Sequence, residues 1–380
     1  MAEHILGKDE IQVRFLLGAP LNNAMPNSTC RLLSNGYKFD TDYDSNIIYK
    51  PCCHFPESQK LDAPASEHQA FRQRLDSIDS YTSPTCSQCN FESKNKLRKT
   101  WRDLSFDIVP EDAELGDASY LEIQTDKTCN GGCIICGPWN SSYWQSELKQ
   151  FIIKPAVDPI DQILSHIDIQ KTRKILFLGG EPFLSNTDLR ILPLIKNPEL
   201  VRLQYTTNGS IYPSQQHIDL WSRFRDVLIN FSLDGIHERF NYIRYPLKWS
   251  TVETNVNRML KELPNNVRFK SNHTVNMLNL YYYNEFKEWH DQVIGSSGRA
   301  TDFTFTPCDG TLSPKEVPEK LFNMLLNKYG PDSKIIRTIT NRNSTDQTYL
   351  LTYLDELDTR RGLDWRRVFP EISHCFDTSL

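Results

Sequence analysis

Between about residue 118 and residue 308 the chain alternates strand-like and helix-like stretches, and this alternation limits the fold more than any other feature. Period-2 patterning predicts strands at Tyr120–Thr125, Lys174–Leu178, Leu200–Thr206, Val227–Leu233, Val267–Val275 and Asp302–Thr306. Helical spacing predicts helices around 141–152, 187–196, 215–225, 250–262 and 284–293. Repeated strand–helix units build a parallel sheet with crossovers and with helices outside it. Six units are too few to close an eight-stranded barrel. The expected α/β fold is therefore an open, partial (β/α)6 TIM-like barrel over residues 113–312.

The flanks differ. Residues 1–112 hold half of the ten cysteines: Cys30, Cys52, Cys53, Cys86 and Cys89. Tyr37–Asp40 and Asn46–Tyr49 read as a hairpin about the polar turn Thr41–Ser45, leading into Pro51-Cys52-Cys53. Gln69–Ile78 has helical spacing. Few apolar residues lie here, so an N-terminal cysteine-rich module held by a staple is expected. Residues 313–380 are charged, with amphipathic stretches at Glu316–Lys328 and Leu350–Arg361, and predict a helical C-terminal extension closing at Pro370-Glu371-Ile372.

The net charge of −5 argues against a broad nucleic-acid surface. No apolar run reaches the length of a membrane span, and no signal-like segment opens the chain. A cytoplasmic protein is expected, and thiols kept reduced there point to metal or cluster ligation rather than disulfides. Cys308 and Cys375 read as ordinary buried thiols. His54, His68 and His273 read as structural, and Trp139, Trp144 and Phe183 as core aromatics.

The loop after the first predicted barrel strand carries Cys129, Cys133 and Cys136, spaced Cys-x3-Cys-x2-Cys. In such barrels that loop is on the active face. Zinc prefers paired Cys-x2-Cys elements and four ligands, and three thiolates leave a cubane with one open iron. Gly131 and Gly132 let the backbone wrap closely.

This loop resembles the signature of the radical S-adenosylmethionine (radical SAM) superfamily. Later stretches match the same family in order, each at a predicted strand end: Gly179-Gly180-Glu181-Pro182, Thr207-Asn208-Gly209 and Ser232-Leu233-Asp234-Gly235, with Arg244 downstream. The resemblance covers residues 118 to about 308. It implies a [4Fe-4S] cluster on Cys129, Cys133 and Cys136, with S-adenosylmethionine on the open iron. It implies cofactor contacts at Ile135, Gly179, Gly180, Glu181, Asn208, Ser232, Asp234 and Arg244. The Gly179-Gly180 edge would meet the ammonium group, Glu181 would either meet it too or brace the loop, Asn208 and Ser232 would reach ribose or carboxylate, and Arg244 would grip the carboxylate. Ile135 is aliphatic where relatives commonly carry an aromatic residue, so adenine would meet apolar contact rather than stacking.

The N-terminal order Cys … Cys-Cys … Cys-x2-Cys resembles the SPASM or twitch auxiliary-cluster region of radical SAM maturases, here preceding the barrel. The resemblance implies a second [4Fe-4S] cluster on Cys30, Cys52, Cys86 and Cys89; the spacing alone leaves a structural zinc site open, and leaves Cys53 open in place of Cys52. The implied activity is reductive cleavage of S-adenosylmethionine to a 5′-deoxyadenosyl radical that abstracts hydrogen from a substrate. A peptide or protein side chain is the expected substrate, with a small metabolite or RNA base as the alternative, and a flavodoxin or ferredoxin as electron donor. The contrasting class is a non-catalytic zinc- or iron–sulfur-binding protein on the same scaffold. Nucleic acid and membrane are not expected partners.

Overall fold

The computed structural model describes residues 30–94, 99–149, 159–339 and 347–376. One nine-stranded sheet organises them, in the order β3-β2-β1-β4-β5-β6-β7-β8-β9. Its strands are β1 (Gly36–Thr41), β2 (Ile47–Lys50), β3 (Gln59–Lys60), β4 (Tyr120–Gln124), β5 (Lys174–Phe177), β6 (Arg202–Thr207), β7 (Asp226–Ser232), β8 (Val267–Val275) and β9 (Ala300–Pro307). From β4 to β9 every strand pairs in parallel with the next. The fold is the mixed α/β, partial-barrel type expected from the alternation.

Why these segments pair is visible in β8. Val267, Phe269, Ser271, His273 and Val275 are buried, while Arg268, Lys270, Asn272 and Thr274 are not. A period of 2 puts the two sets on opposite faces. The same split separates Leu203 and Tyr205 from Arg202 and Gln204 in β6. The apolar face lies under helices such as Trp249–Glu262, whose Trp249, Val252, Val256 and Met259 are buried at helical spacing. The other face, lined by Gln204, Asn230, Lys270 and Asn272, is polar.

The sheet does not stop at β4. β1 pairs with β4 in parallel, Lys38 opposite Glu122, and β2 and β3 continue antiparallel. The hairpin turn is tied by Asp42 Oδ1, which accepts from the Asp44 and Asn46 amides at 3.0 and 2.8 Å. Apolar residues of this segment, Phe39, Tyr49 and Phe71 among them, share one cluster with Ile123, Phe177 and Val227. A second cluster joins Ile134 of the cysteine loop to Tyr242, Val275 and the C-terminal helices Glu319–Tyr329, Lys334–Ile339 and Thr348–Arg361.

Several boundaries move from their sequence-predicted places. The 187–196 helix is Thr187–Ile191 followed by a 3₁₀ turn at Leu192–Leu194, where Pro193 cannot donate an amide. β6 starts two residues late because Pro198–Leu200 forms another such turn. The helix expected over 141–152 is Ser142–Glu147, and residues 150–152 lie outside the described segments. Among the described residues no helix is long and apolar enough to cross a membrane.

Candidate active site

Cys129, Cys133 and Cys136 sit on the loop leaving the C-terminal end of β4. Backbone hydrogen bonds tie this loop to β5's end: the Gly180 amide donates to Asp126 O at 3.1 Å and the Glu181 amide to Thr128 O at 2.8 Å. The two glycines are required by this approach. A Cβ on Gly180 would lie 2.2 Å from Thr128 O and 2.6 Å from Cys129 Cβ, and one on Gly179, at φ +143°, 2.4 Å from Asp126 O. On its far side the loop pairs with the Arg244 segment, through Gly132 N to Tyr245 O at 2.6 Å and Ile134 N to Ile243 O at 2.9 Å.

The thiols face one another. Burial first, and then the charge of neighbouring thiols, push Cys129 and Cys136 up to about 12; burial also raises Cys133, with Arg244 opposing the rise and Asp234 adding to it. A Cβ added to Gly131 would touch both Cys133 Sγ, at 3.4 Å, and Cys129 Sγ, at 3.8 Å. Three thiolates on one loop are a donor set that suits a cluster with one open iron.

The strand-end residues converge on the loop through hydrogen bonds of their own. Glu181 is buried. Its Oε1 accepts from the Thr207 hydroxyl at 2.6 Å and the Phe183 amide at 3.4 Å, and its Oε2 from the Asn208 amide at 2.7 Å. Burial raises its pKa to about 7, against those donors. Both oxygens are committed, so Glu181 braces the β5 and β6 ends. Asn208 Nδ2 donates to Asn130 Oδ1 at 3.0 Å, and Asn130 Nδ2 donates to Ser210 Oγ at 2.9 Å, which links the β6 turn to the cysteine loop. Ser232 ends β7 half-buried, and Ile135 packs on the edge of the second apolar cluster.

Arg244 and Asp234 do not reach outward. Arg244 Nη2 lies 2.6 Å from Asp234 Oδ2, with both side chains buried, a close ion pair that lacks hydrogen-bond alignment. Asp234 Oδ1 accepts from the Thr274 amide at 2.8 Å, and Arg244 Nη1 lies 3.9 Å from Cys133 Sγ. This pairing supplies the local counter-charge that a buried guanidinium needs. His273, beside them, keeps its structural reading: burial lowers it to about 4, its Nδ1 meets Leu233 O at 2.9 Å, and it stacks on Phe286.

Further holders of the loop went unread in the sequence. Ser141 Oγ donates to Gly131 O at 2.6 Å, the Cys129 amide donates to Ser142 Oγ at 3.0 Å, and Trp144 Nε1 donates to Cys133 O at 3.0 Å. Ser141 also caps the helix that follows, a local signal that was available. From the C-terminal extension, Tyr353 donates to Ile134 O at 3.0 Å. Arg361 pairs with Glu147 at 2.8 Å between the rings of Trp144 and Tyr245. Those partners are more than 200 residues away, and no local pattern announces them.

The other cysteines also converge. Cys30, Cys52, Cys86 and Cys89 line a single pocket with Leu32, Phe55 and Trp101; Cys53 is not part of that lining. Burial pushes Cys30 up to about 11 and Cys86 to about 12, and each of the four thiols but Cys89 is raised further by another of the set. Arg102 closes the pocket, donating to Ser80 O at 2.8 Å and Asn90 Oδ1 at 2.5 Å. Among the described residues, no three Cys, His, Asp or Glu side chains are gathered closely enough to hold one metal ion.

Residues 123–291 match the family model of the radical SAM superfamily. That stretch, which holds the cysteine loop and the strand-end motifs, is similar to a radical SAM domain. Solved structures similar to this chain include anSMEcpe with bound AdoMet, at 19% identity and a TM-score of 0.39, over 59% of this chain and 60% of that one. Streptococcus suis SuiB bound to precursor peptide SuiA is similar at 11% identity and a TM-score of 0.37, over 88% and 73%. TYW1 with a lysine-pyruvate adduct bound is similar at 15% identity and 0.34, over 70% and 90%. The chain thus covers about 60% of the length of anSMEcpe. A search of curated proteins gave no match. The family carries a [4Fe-4S] cluster and S-adenosylmethionine, and the three thiols of the radical SAM loop are the residues that fit the cluster.

Proposed function

We propose that this protein is a radical SAM enzyme of the SPASM or twitch type, with its auxiliary cluster in the N-terminal module, and that it acts on a peptide or protein side chain. Held by Cys129, Cys133 and Cys136, a reduced [4Fe-4S] cluster would supply the electron for reductive cleavage of S-adenosylmethionine to methionine and a 5′-deoxyadenosyl radical, which would abstract hydrogen from the substrate. The chain's own residues do the rest. Cys129, Cys133 and Cys136 hold the cluster, and Arg244 offsets the thiolate charge at Cys133 from 3.9 Å. Asn208 and Ser232 stand at the strand ends to orient the cofactor by hydrogen bonds, and Ile135 offers an apolar wall. Tyr353 and Arg361 pin the loop from behind and keep water off its buried side.

The observation that carries the two-cluster reading is the shared pocket of Cys30, Cys52, Cys86 and Cys89. Zinc would draw four sulfurs to about 2.3 Å from one point. Four thiols that border one pocket with apolar walls suit a cubane, with structural zinc as the alternative that the iron count distinguishes. A flavodoxin or ferredoxin is the electron donor in this reading.

Anaerobic reconstitution tests it. The expected result is about eight irons per chain and 5′-deoxyadenosine formed on reduction with S-adenosylmethionine. Cys133→Ala should abolish that product, and Cys86→Ala should remove about four irons while leaving the spectroscopic signal of the SAM-binding cluster. Stoichiometric zinc without cleavage would overturn the proposal.

A further inference from the structure

The N-terminal ends of β5 and β6 lie at the opposite end of the barrel from the cysteine loop. There a cavity of about 370 Å³ opens between the barrel and the segment Phe106–Glu111. This is within the size range of small-ligand sites. Five cations line it: Arg31, Arg173, Lys174, Arg202 and Arg225. Two carboxylates do so, Asp107 and Glu111. On a chain whose net charge is −5, this is a local reversal of sign.

The cations are incompletely neutralised from within. Arg31 reaches Glu111 at 3.8 Å and donates to Val109 O at 2.8 Å, and Arg202 meets Asp226 at 3.4 Å. Arg173 spends its donors on the carbonyls of Gln170, Lys171 and Thr172, which carry no formal charge. Among the described residues, Arg173, Lys174 and Arg225 have no carboxylate within 4.0 Å. Lys174 has the face of Trp101 5.5 Å from its ammonium, and burial followed by the like charges of Lys270 and Arg202 lowers it to about 8. Crowded like charges raise the free energy of the folded chain, and a polyvalent anion among them lowers it. Guanidinium groups in number, at one concave surface, suit phosphate oxygens, which they meet in pairs. Phe106 and Leu200, both exposed at the lining, add apolar surface beside the charges.

We propose that this cavity is a second ligand site, which binds a small phosphate-bearing molecule at the end of the barrel away from the cluster. The site is separate from the radical chemistry: the strands between the two ends are four to six residues long, which puts them about 15 Å apart or more.

Equilibrium dialysis of the reconstituted protein with labelled pyrophosphate, and in a parallel arm with labelled ATP, tests the assignment. Saturable binding is expected in at least one arm, weakening with salt and unchanged by excess S-adenosylmethionine. Tighter binding of ATP would identify a nucleotide ligand, and equal binding a site for the phosphates alone; either supports the proposal. Arg225→Glu should weaken binding on the order of tenfold or more without changing iron content. Lys174→Gln is the second variant, should Arg225→Glu fail to fold. Absence of saturable binding in both arms, displacement by S-adenosylmethionine, or wild-type affinity in a folded variant would overturn it.

Discussion

Gly180→Ala concentrates the reasoning about the cysteine loop into a single methyl group. The new Cβ would sit 2.2 Å from Thr128 O and 2.6 Å from Cys129 Cβ, where carbon contacts normally lie at about 3.5–4.0 Å. β5 cannot give way, because β4 and β6 hold it in register on both sides. The loop must therefore retreat by about 1 Å or more, straining the Gly180–Asp126 and Glu181–Thr128 hydrogen bonds at 3.1 and 2.8 Å. Overpacking costs about 1–3 kcal/mol and each lost hydrogen bond about 1 kcal/mol, so a destabilisation of about 2–4 kcal/mol is expected. In a chain of 380 residues that corresponds to a fall in melting temperature of roughly 2–5 °C. Cys129 moves with the loop, so iron retained by the SAM-binding cluster should fall in parallel. Differential scanning calorimetry and iron analysis of the reconstituted variant measure both. Gly295→Ala, whose Cβ would meet nothing closer than 3.6 Å, is the control. Wild-type stability and full iron content in Gly180→Ala would refute the close-approach argument.

Two other perturbations follow from the same region. Glu181 is held up to about 7 in the folded chain, against 4.5 for the free group, so the stability tied to its protonated form is present below pH 4.5 and is lost as pH rises through 7. Denaturant titrations should show wild type losing up to about 3 kcal/mol relative to Glu181→Gln between pH 5 and pH 8, and a pH-independent difference would contradict the burial argument. Arg361→Met leaves Glu147 without its guanidinium partner and uncovers the back of the cysteine loop; a cost of about 1–3 kcal/mol and faster loss of iron to a chelator are expected, and unchanged chelation kinetics would remove the C-terminal helix from any role in holding the loop.

What could be read from sequence was what is local. β8 shows itself at Val267–Val275 because each alternate residue is buried, and the motifs that meet the cysteine loop each belong to one strand end. Pairing across distance was the part that could not be read. The hairpin of β1 and β2 was legible, but nothing local announced that β1 also pairs with β4, where Lys38 stands opposite Glu122. The Lys38 ammonium is buried, donating to Glu122 at 2.8 Å and Gln124 at 2.7 Å, and only that partner strand makes its burial tolerable. The pairing of Arg244 with Asp234 at 2.6 Å was likewise not legible in the sequence. The choice between Cys52 and Cys53 depended on which way a tight turn directs each thiol, and adjacent identical residues carry no pattern that decides this.

The parallel pairing of β1 with β4 has a consequence for how the chain matures. Lys38 and Glu122 are 84 residues apart, so β1 leaves the ribosome roughly 4 to 17 s before its partner strand exists. During that interval Cys30, Cys52, Cys86 and Cys89 emerge on a segment whose apolar side chains have no barrel to lie against. The N-terminal thiols are then exposed before the sheet closes over them, and in the two-cluster proposal their cluster could be loaded before the barrel is complete.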